Sequence, residues 1–192
     1  LESWGFQFFL IDRYELTVPL QDFLEIPAFQ HAPSAAIKPL KQITETDLEQ
    51  FLDKVQTLPG VLQELPRSLS AYDKDLSCVH VGKEGINGAL LIQELVGGKL
   101  EVLLLRTLPK QQQRMGDLSC FGIHAAAKKY PPETGVHIVC RVDATGEVLD
   151  KLFPDVQPLL VRRGCYDNRP QEATEEGLSH ETEEEESRYD GR

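Results

Sequence analysis

Lys110 and Arg114 place two cations in a polar loop that leads into a helix, and that grouping suits an anion. The loop reads Pro109-Lys-Gln-Gln-Gln-Arg-Met-Gly116. Ahead of it, Glu101-Val-Leu-Leu-Leu-Arg-Thr-Leu108 predicts a strand buried on both faces. Behind it, Asp117 is placed to cap an amphipathic helix through Leu118, Phe121, Gly122, Ala125 and Lys129, which Pro131-Pro132 stops. A helix start offers unpaired N–H groups and a partial positive charge. Strand, loop and helix together suggest a phosphate-bearing ligand.

Other reactive side chains point less sharply. His137 and Arg141 share one face of a predicted strand over 136–142, with Ile138 and Cys140 on the other. Cys120 and His124 stand four apart on one helix, but a nucleophilic pair also needs a cleft and an orienting group. Gly82-Lys-Glu-Gly-Ile-Asn-Gly88 lacks the ending of a phosphate-binding P-loop and reads as a tight hairpin turn. The four cysteines form no C-x-x-C pair and sit mostly in apolar segments. Free buried thiols in a reducing cytoplasm account for them, and no zinc-like spacing implies a metal.

Around these groups the sequence predicts a set of short elements. Tyr14–Leu20 has strand character, and Gln30–Ser34 reads as a linker. A short strand at Ala35–Leu40 precedes a helix over roughly 47–57, capped from Thr44, with Leu48, Phe51, Leu52 and Val55 on one face. A second short helix is expected near 61–65. Strands follow at 76–81, 88–95 and 100–108, then the helix at 117–130, a strand at 136–142, a short helix at 145–152 and a strand at 157–163.

Charge is unevenly distributed. The chain of 192 residues carries −11, and ten of its 31 acidic but only three of its 20 basic residues fall from Asp167 onward. The tail is therefore expected to be disordered and solvating. The body lacks the basic stripe that nucleic-acid binding needs, and its apolar runs are too short to span a membrane. The only methionine is Met115, so the sequence reads as a processed form or an excised piece.

The element order over 35–163 resembles the GNAT superfamily of acyl-CoA-dependent N-acyltransferases. Ser77-Cys-Val-His-Val81 and Gly88-Ala-Leu-Leu-Ile92 are similar to its second and third strands, and Leu100-Glu-Val-Leu-Leu-Leu105 to its fourth. Gln111-Gln-Gln-Arg-Met-Gly116 resembles the loop Q/R-x-x-G-x-G/A, with Arg114 at the first Gly. Glu147-Val-Leu-Asp-Lys-Leu-Phe153 resembles the helix that ends Lys-Leu-Gly-Phe, with Leu149 where a general-acid Tyr often stands.

The resemblance implies an α+β fold, a mixed and mostly antiparallel sheet with helices on both faces. It implies a GNAT-like domain over 35–166, after an N-terminal hairpin or strand extension (1–27) and a linker (28–34), and before an acidic tail (167–192). The extension is similar to the end of a preceding GNAT-like unit; a completing strand of the same sheet, or a plain hairpin, are the alternatives. Acetyl-CoA is the implied co-substrate, without a metal. Leu104, Leu105 and Arg106 pair with its pantetheine arm, and Gln111, Gln112, Gln113, Arg114, Met115, Gly116 and Asp117 surround its pyrophosphate. Glu101 is the implied general base, while His137 and Arg141 face a small-molecule or peptide amine acceptor. A homodimer or a tandem neighbour is expected, in the cytoplasm, with neither nucleic acid nor membrane as partner. Arg114 and Leu149 keep open a second reading, a catalytically silent ligand-binding or interaction domain.

Overall fold

Thr44 begins a helix as its position predicts, its Oγ1 accepting the Asp47 N–H at 3.2 Å. The helix then turns Leu48, Phe51, Leu52 and Val55 inward, none more than 1% exposed. Burying four such side chains contributes roughly 1.5–3 kcal/mol each before entropy is counted. A computed structural model describes residues 6–8, 13–58, 65–141, 149, 151–161 and 164–166. Along the chain come β1 (Phe6–Phe8), β2 (Arg13–Pro19), α1 (Leu20–Glu25), β3 (Ile37–Pro39), α2 (Glu45–Gln56), β4 (Cys78–Gly82), β5 (Gly85–Glu94), β6 (Leu100–Thr107), α3 (Met115–Lys129), β7 (Gly135–Arg141), β8 (Leu159–Val161) and β9 (Gly164–Tyr166).

One compact unit spans Leu10–Arg163. Its described strands form a seven-stranded sheet in the order β3-β4-β5-β6-β7-β2-β8. All neighbours are antiparallel except β6 and β7, which are parallel. Alternation along β5 divides the core between two faces. Leu90 and Ile92 pack with Leu118 and Ala126 of α3 and Leu20 and Phe23 of α1. Ala89 and Leu91 pack instead beneath α2. This is the expected α+β layering. In the other unit, β1 and β9 form an antiparallel pair, Phe6 opposite Tyr166.

The N-terminal strand lies inside the large sheet. β2 pairs with β7 over seven residues, from Arg13 opposite Arg141 to Pro19 opposite Gly135, and with β8 over three. A hairpin does not follow it: Pro19, with φ −57°, ends the ladder and starts α1, which buries Leu20 and Phe23. Phe23 meets Phe153 edge-on at 4.8 Å between ring centroids. Several other boundaries move. β3 stops at Pro39, which cannot donate to a ladder, and the last predicted strand begins at Leu159 rather than Gln157. All but the last residue of the helix expected near 61–65, most of that over 145–152, and the tail beyond Tyr166 lie outside the described residues.

Close approach of α3 to the sheet depends on Gly122, where an added Cβ would sit 2.4 Å from Leu90 Cδ2. The far end of α3 is held by a carboxylate. Asp73 Oδ1 accepts the N–H groups of Asp75 and Leu76, and Oδ2 takes Lys129 Nζ at 2.6 Å. Burial raises the Asp73 carboxyl value, but Lys129 and the two N–H groups together lower it further, leaving it below the usual range. Such a carboxylate stabilises the fold above its unfolded value, and the contribution is lost as pH falls through its folded value. Asp73→Asn should therefore cost about 1–3 kcal/mol at neutral pH. In urea titrations that difference should vanish as pH falls below about 4, the unfolded aspartate value, and through the depressed folded one.

Candidate functional site

β6 and β7 stay paired for three residues: Leu100 with Val136, Glu101 with His137, and Val102 with Ile138. Both strands then continue, to Thr107 and to Arg141, without pairing to each other. The divergence begins at Leu103. On the β5 side Leu91 faces Leu104 and Ile92 faces Val102, so Leu103 is an extra residue. A bulge of this kind adds twist and bends its strand. The outcome is a gap in mid-sheet, walled on one side by the backbone edge of Leu103–Thr107. Leu103 and Leu105 are only half-buried, against the expectation of burial on both faces, because beyond Val102 none of the described strands covers that edge.

A row of polar side chains crosses the closed end of the gap. The register sets Gln93 opposite Glu101, Glu101 opposite His137, and His137 opposite Thr17. Partners in register point to the same face of a sheet. Gln93 Nε2 donates to Glu101 Oε2 at 2.5 Å, and Thr17 Oγ1 lies 3.3 Å from His137 Nδ1. Sequence reasoning singled out Glu101 and His137 separately, and the structure brings them together. Arg141 lies two pleats further on, opposite Arg13; its side chain lies outside the described part. Gln93 and Thr17 went unnoticed, since their place becomes visible only once the register is known.

At the open end, Gln112–Arg114 form a 3-10 turn that runs directly into α3. The helix thus starts at Met115, two residues before the predicted cap. Asp117 sits within its first turn rather than capping it. The Arg114 N–H bonds the Gln111 carbonyl and the Met115 N–H that of Gln112, so two of the expected anion donors are used within the loop. Gln112 and Gln113 are exposed. Gly116 is exposed too, and an added Cβ would meet nothing within 4 Å. Leu104, Leu105 and Arg106 lie on β6 beyond the last pair with β7, with Leu104 buried toward α2.

Charges gather around Asp117. Its carboxylate lies 3.6 Å from Arg114 Nη1 and 3.6 Å from His31 Nε2. Below it His80 is 6% exposed, and its Nδ1, like Arg114 Nε, is buried without a hydrogen-bond partner. A second cleft, of about 430 Å³, lies along α3 between His124, Lys128 and Asp75, away from the gap. Among the described residues no group of His, Cys, Asp and Glu is placed to hold a metal ion, and no helix is long and apolar enough to cross a membrane.

Solved structures share this fold. One is a GCN5-related N-acetyltransferase from Sphaerobacter thermophilus, matched at TM-score 0.52 and 15% identity over 85% of this chain and 53% of that one. The fold is that of the GCN5-related N-acetyltransferases. A conserved protein of unknown function from Enterococcus faecalis V583, described as a probable N-acyltransferase, matches at TM-score 0.53 and 15% identity over 85% of this chain and 41% of its own. A Drosophila protein matches at TM-score 0.50, 15% identical, over 85% of this chain and 52% of its own. The present chain thus spans about half the length of these GCN5-related and similar proteins, or less. No protein-family profile and no curated protein matches the sequence.

Within this GCN5-related fold Cys78, Cys120 and Cys140 are buried. Cys120 does not face His124: its Sγ lies 3.5 Å from His31 Nε2 and 3.6 Å from the Ala28 carbonyl, while the His124 ring meets the Phe29 carbonyl at 2.9 Å. Burial, then the charge of Asp117, pushes the Cys120 thiol up, and burial does the same to Cys78. Neither is a ready thiolate. Peptide-resolved alkylation at pH 8 should leave Cys78 and Cys120 unlabelled in the folded chain and label both in denaturant. Fast native labelling of Cys120 would revive it as a nucleophile.

Proposed function

We propose that this chain is an acyl-CoA-dependent N-acyltransferase that moves an acetyl group to an amine, with acetyl-CoA held across the β6/β7 gap. The observation that carries this reading is the gap itself, a strand edge left open in mid-sheet beside the start of a helix. The residues present fit such a ligand. The edge of Leu103–Thr107 can pair with the amides of a pantetheine arm as an added strand does, and the open space at Gly116 admits a pyrophosphate. When bound, the thioester supplies an activated acyl carbon and a thiol leaving group. The remaining work falls to the chain's own groups. Gln93 orients the Glu101 carboxylate, which takes a proton from the acceptor amine directly or through water. His137, steadied by Thr17, and Arg141 face the acceptor, a small molecule or a peptide amine.

One observation favours a second reading, a silent domain that binds a ligand or partner without chemistry. The loop closes its own Arg114 and Met115 N–H groups, with Arg114 at the position where a glycine brings backbone close to a pyrophosphate. Calorimetric titration of acetyl-CoA and free CoA separates ligand binding from its absence. Wild type should bind, and Gly116→Asp, which has room for its side chain, should bind at least about tenfold more weakly through like-charge repulsion. No binding at millimolar ligand overturns the acyltransferase reading. In an amine acetylation assay Glu101→Gln should lower kcat by roughly 10²–10⁴-fold with acetyl-CoA affinity intact. The deficit should shrink at high pH, where the amine is already deprotonated. Binding without turnover on any amine would support the silent domain.

A further inference from the structure

The start of α3 holds one feature that the acyltransferase reading does not use. His80 is nine-tenths buried, and its Nδ1 has no hydrogen-bond partner. A buried polar atom left unpaired costs about 1–3 kcal/mol, so it is expected to meet something. Its position follows from the register. Cys78 lies under the first turn of α3, its Sγ donating to the Leu118 carbonyl at 3.6 Å. His80 is two residues along on the same face, nearer the loop. Across from it stand Ile37 of β3 and Gly88 of β5, neither of them charged. The charged groups whose fields reach the ring are Arg114 and Asp117, both from the start of α3. Asp117 in turn is shared with His31. Arg114 Nε is also buried and unpartnered. Two unsatisfied nitrogen atoms, one on a fixed cation and one on a titratable ring, thus lie at the start of a fifteen-residue helix.

We propose that His80 and Arg114 together hold a phosphoryl group at the start of α3, and that His80 takes up a proton from solvent as the anion arrives. For its natural ligand this rests on the acyl-CoA reading; for its chemistry it does not. Burial, and then the cation of Arg114, keep the empty ring's proton affinity below the usual imidazole value, while Asp117 acts the other way. An arriving phosphoryl group offsets the Arg114 charge and adds its own attraction, so the ring protonates and donates through Nδ1. Affinity then rises as pH falls from about neutral toward the value of the empty ring, and the gain disappears once both states are neutral at alkaline pH. Asp117, already flanked by Arg114 and His31, limits how tightly the anion is held.

The test uses inorganic pyrophosphate, CoA and dephospho-CoA on the ¹⁵N-histidine-labelled chain. In wild type at pH 6–7, saturating pyrophosphate should move the His80 ring signals from the neutral to the protonated range. Calorimetry in two buffers of different ionisation enthalpy should show proton uptake on binding. His80→Asn keeps a hydrogen-bonding amide near the Nδ1 position but cannot charge. It should bind about tenfold more weakly than wild type at pH 6, the worth of one charge-assisted hydrogen bond, and equally at pH 8. Comparing the two proteins at each pH cancels the titration of the phosphates themselves. Arg114→Gln should weaken binding throughout that range. A shift with CoA and dephospho-CoA alike assigns the diphosphate, and a shift with CoA alone the ribose 3′-phosphate. Movement with pyrophosphate but with neither CoA form keeps the anion site and removes the acyl-CoA reading. His80 signals unmoved by saturating pyrophosphate, or the same pH dependence in wild type and His80→Asn, overturn the proposal even if CoA binds elsewhere on the chain.

Discussion

Backbone amides in the middle of a sheet need partners, and beyond Val102 none of the described strands pairs with the β7 side of β6. Most of the molecule bears on how that gap is held open. A single extra residue at Leu103 turns β6 away from β7. β5 keeps β6 in place from the other side, paired from Glu94 to Gly88. β2 does the same for β7 along its whole length. Each wall of the gap is thus anchored by an antiparallel neighbour, and neither needs the other beyond three residues. Zipping the gap shut would require removing the bulge and breaking the β5 register, which α2 and α3 fix from opposite faces through Leu91 and Leu90.

The two ends of the gap differ in electrostatic character. The closed end carries a carboxylate and an imidazole in one row, joined to amide and hydroxyl neighbours, a composition suited to moving protons. The open end carries the helix start, Lys110 and Arg114, suited to charge that stays put. A ligand lying along β6 would meet both. The polar groups come from five elements: Thr17 on β2, Gln93 and Glu101 on β5 and β6, Arg114 at α3, and His137 on β7. The sheet register sets the four on strands in one row.

Local pattern carried far into this structure. Thr44 with Leu48, Phe51, Leu52 and Val55 spells out a capped amphipathic helix, and the strand, loop and helix over 100–129 are legible because their periodicity changes sharply at Pro109. What pattern could not supply was position between strands. Leu103-Leu104-Leu105 is equally consistent with a regular strand and with a bulge, since an apolar run leaves no polar residue to mark a skipped face. Burial of that run on both sides was expected because a continuous apolar stretch reads so; the missing neighbour is a matter of topology. His80 gave a faint signal, one polar residue inside Cys78-Val-His-Val81, but nothing local tied it to Arg114, 34 residues on. The helix at Leu20 was hidden because Pro19 reads equally as the end of an edge strand.

The order of the sheet also bears on how the chain reaches its shape. β2 precedes every other strand of its sheet in sequence, yet sits between β7 and β8, with Thr17 meeting His137 across 120 residues. As the polypeptide is synthesised, β2 has no site to enter until β7 has formed. Leu16 and Val18, buried at 2% and 0% in the finished sheet, must wait meanwhile in an unpaired strand. Contacts of such long sequence separation close slowly and form late. The earliest strand of the sheet to be made is therefore among the last to be placed, and while it waits its exposed apolar edge is the part of the molecule most open to pairing with another chain.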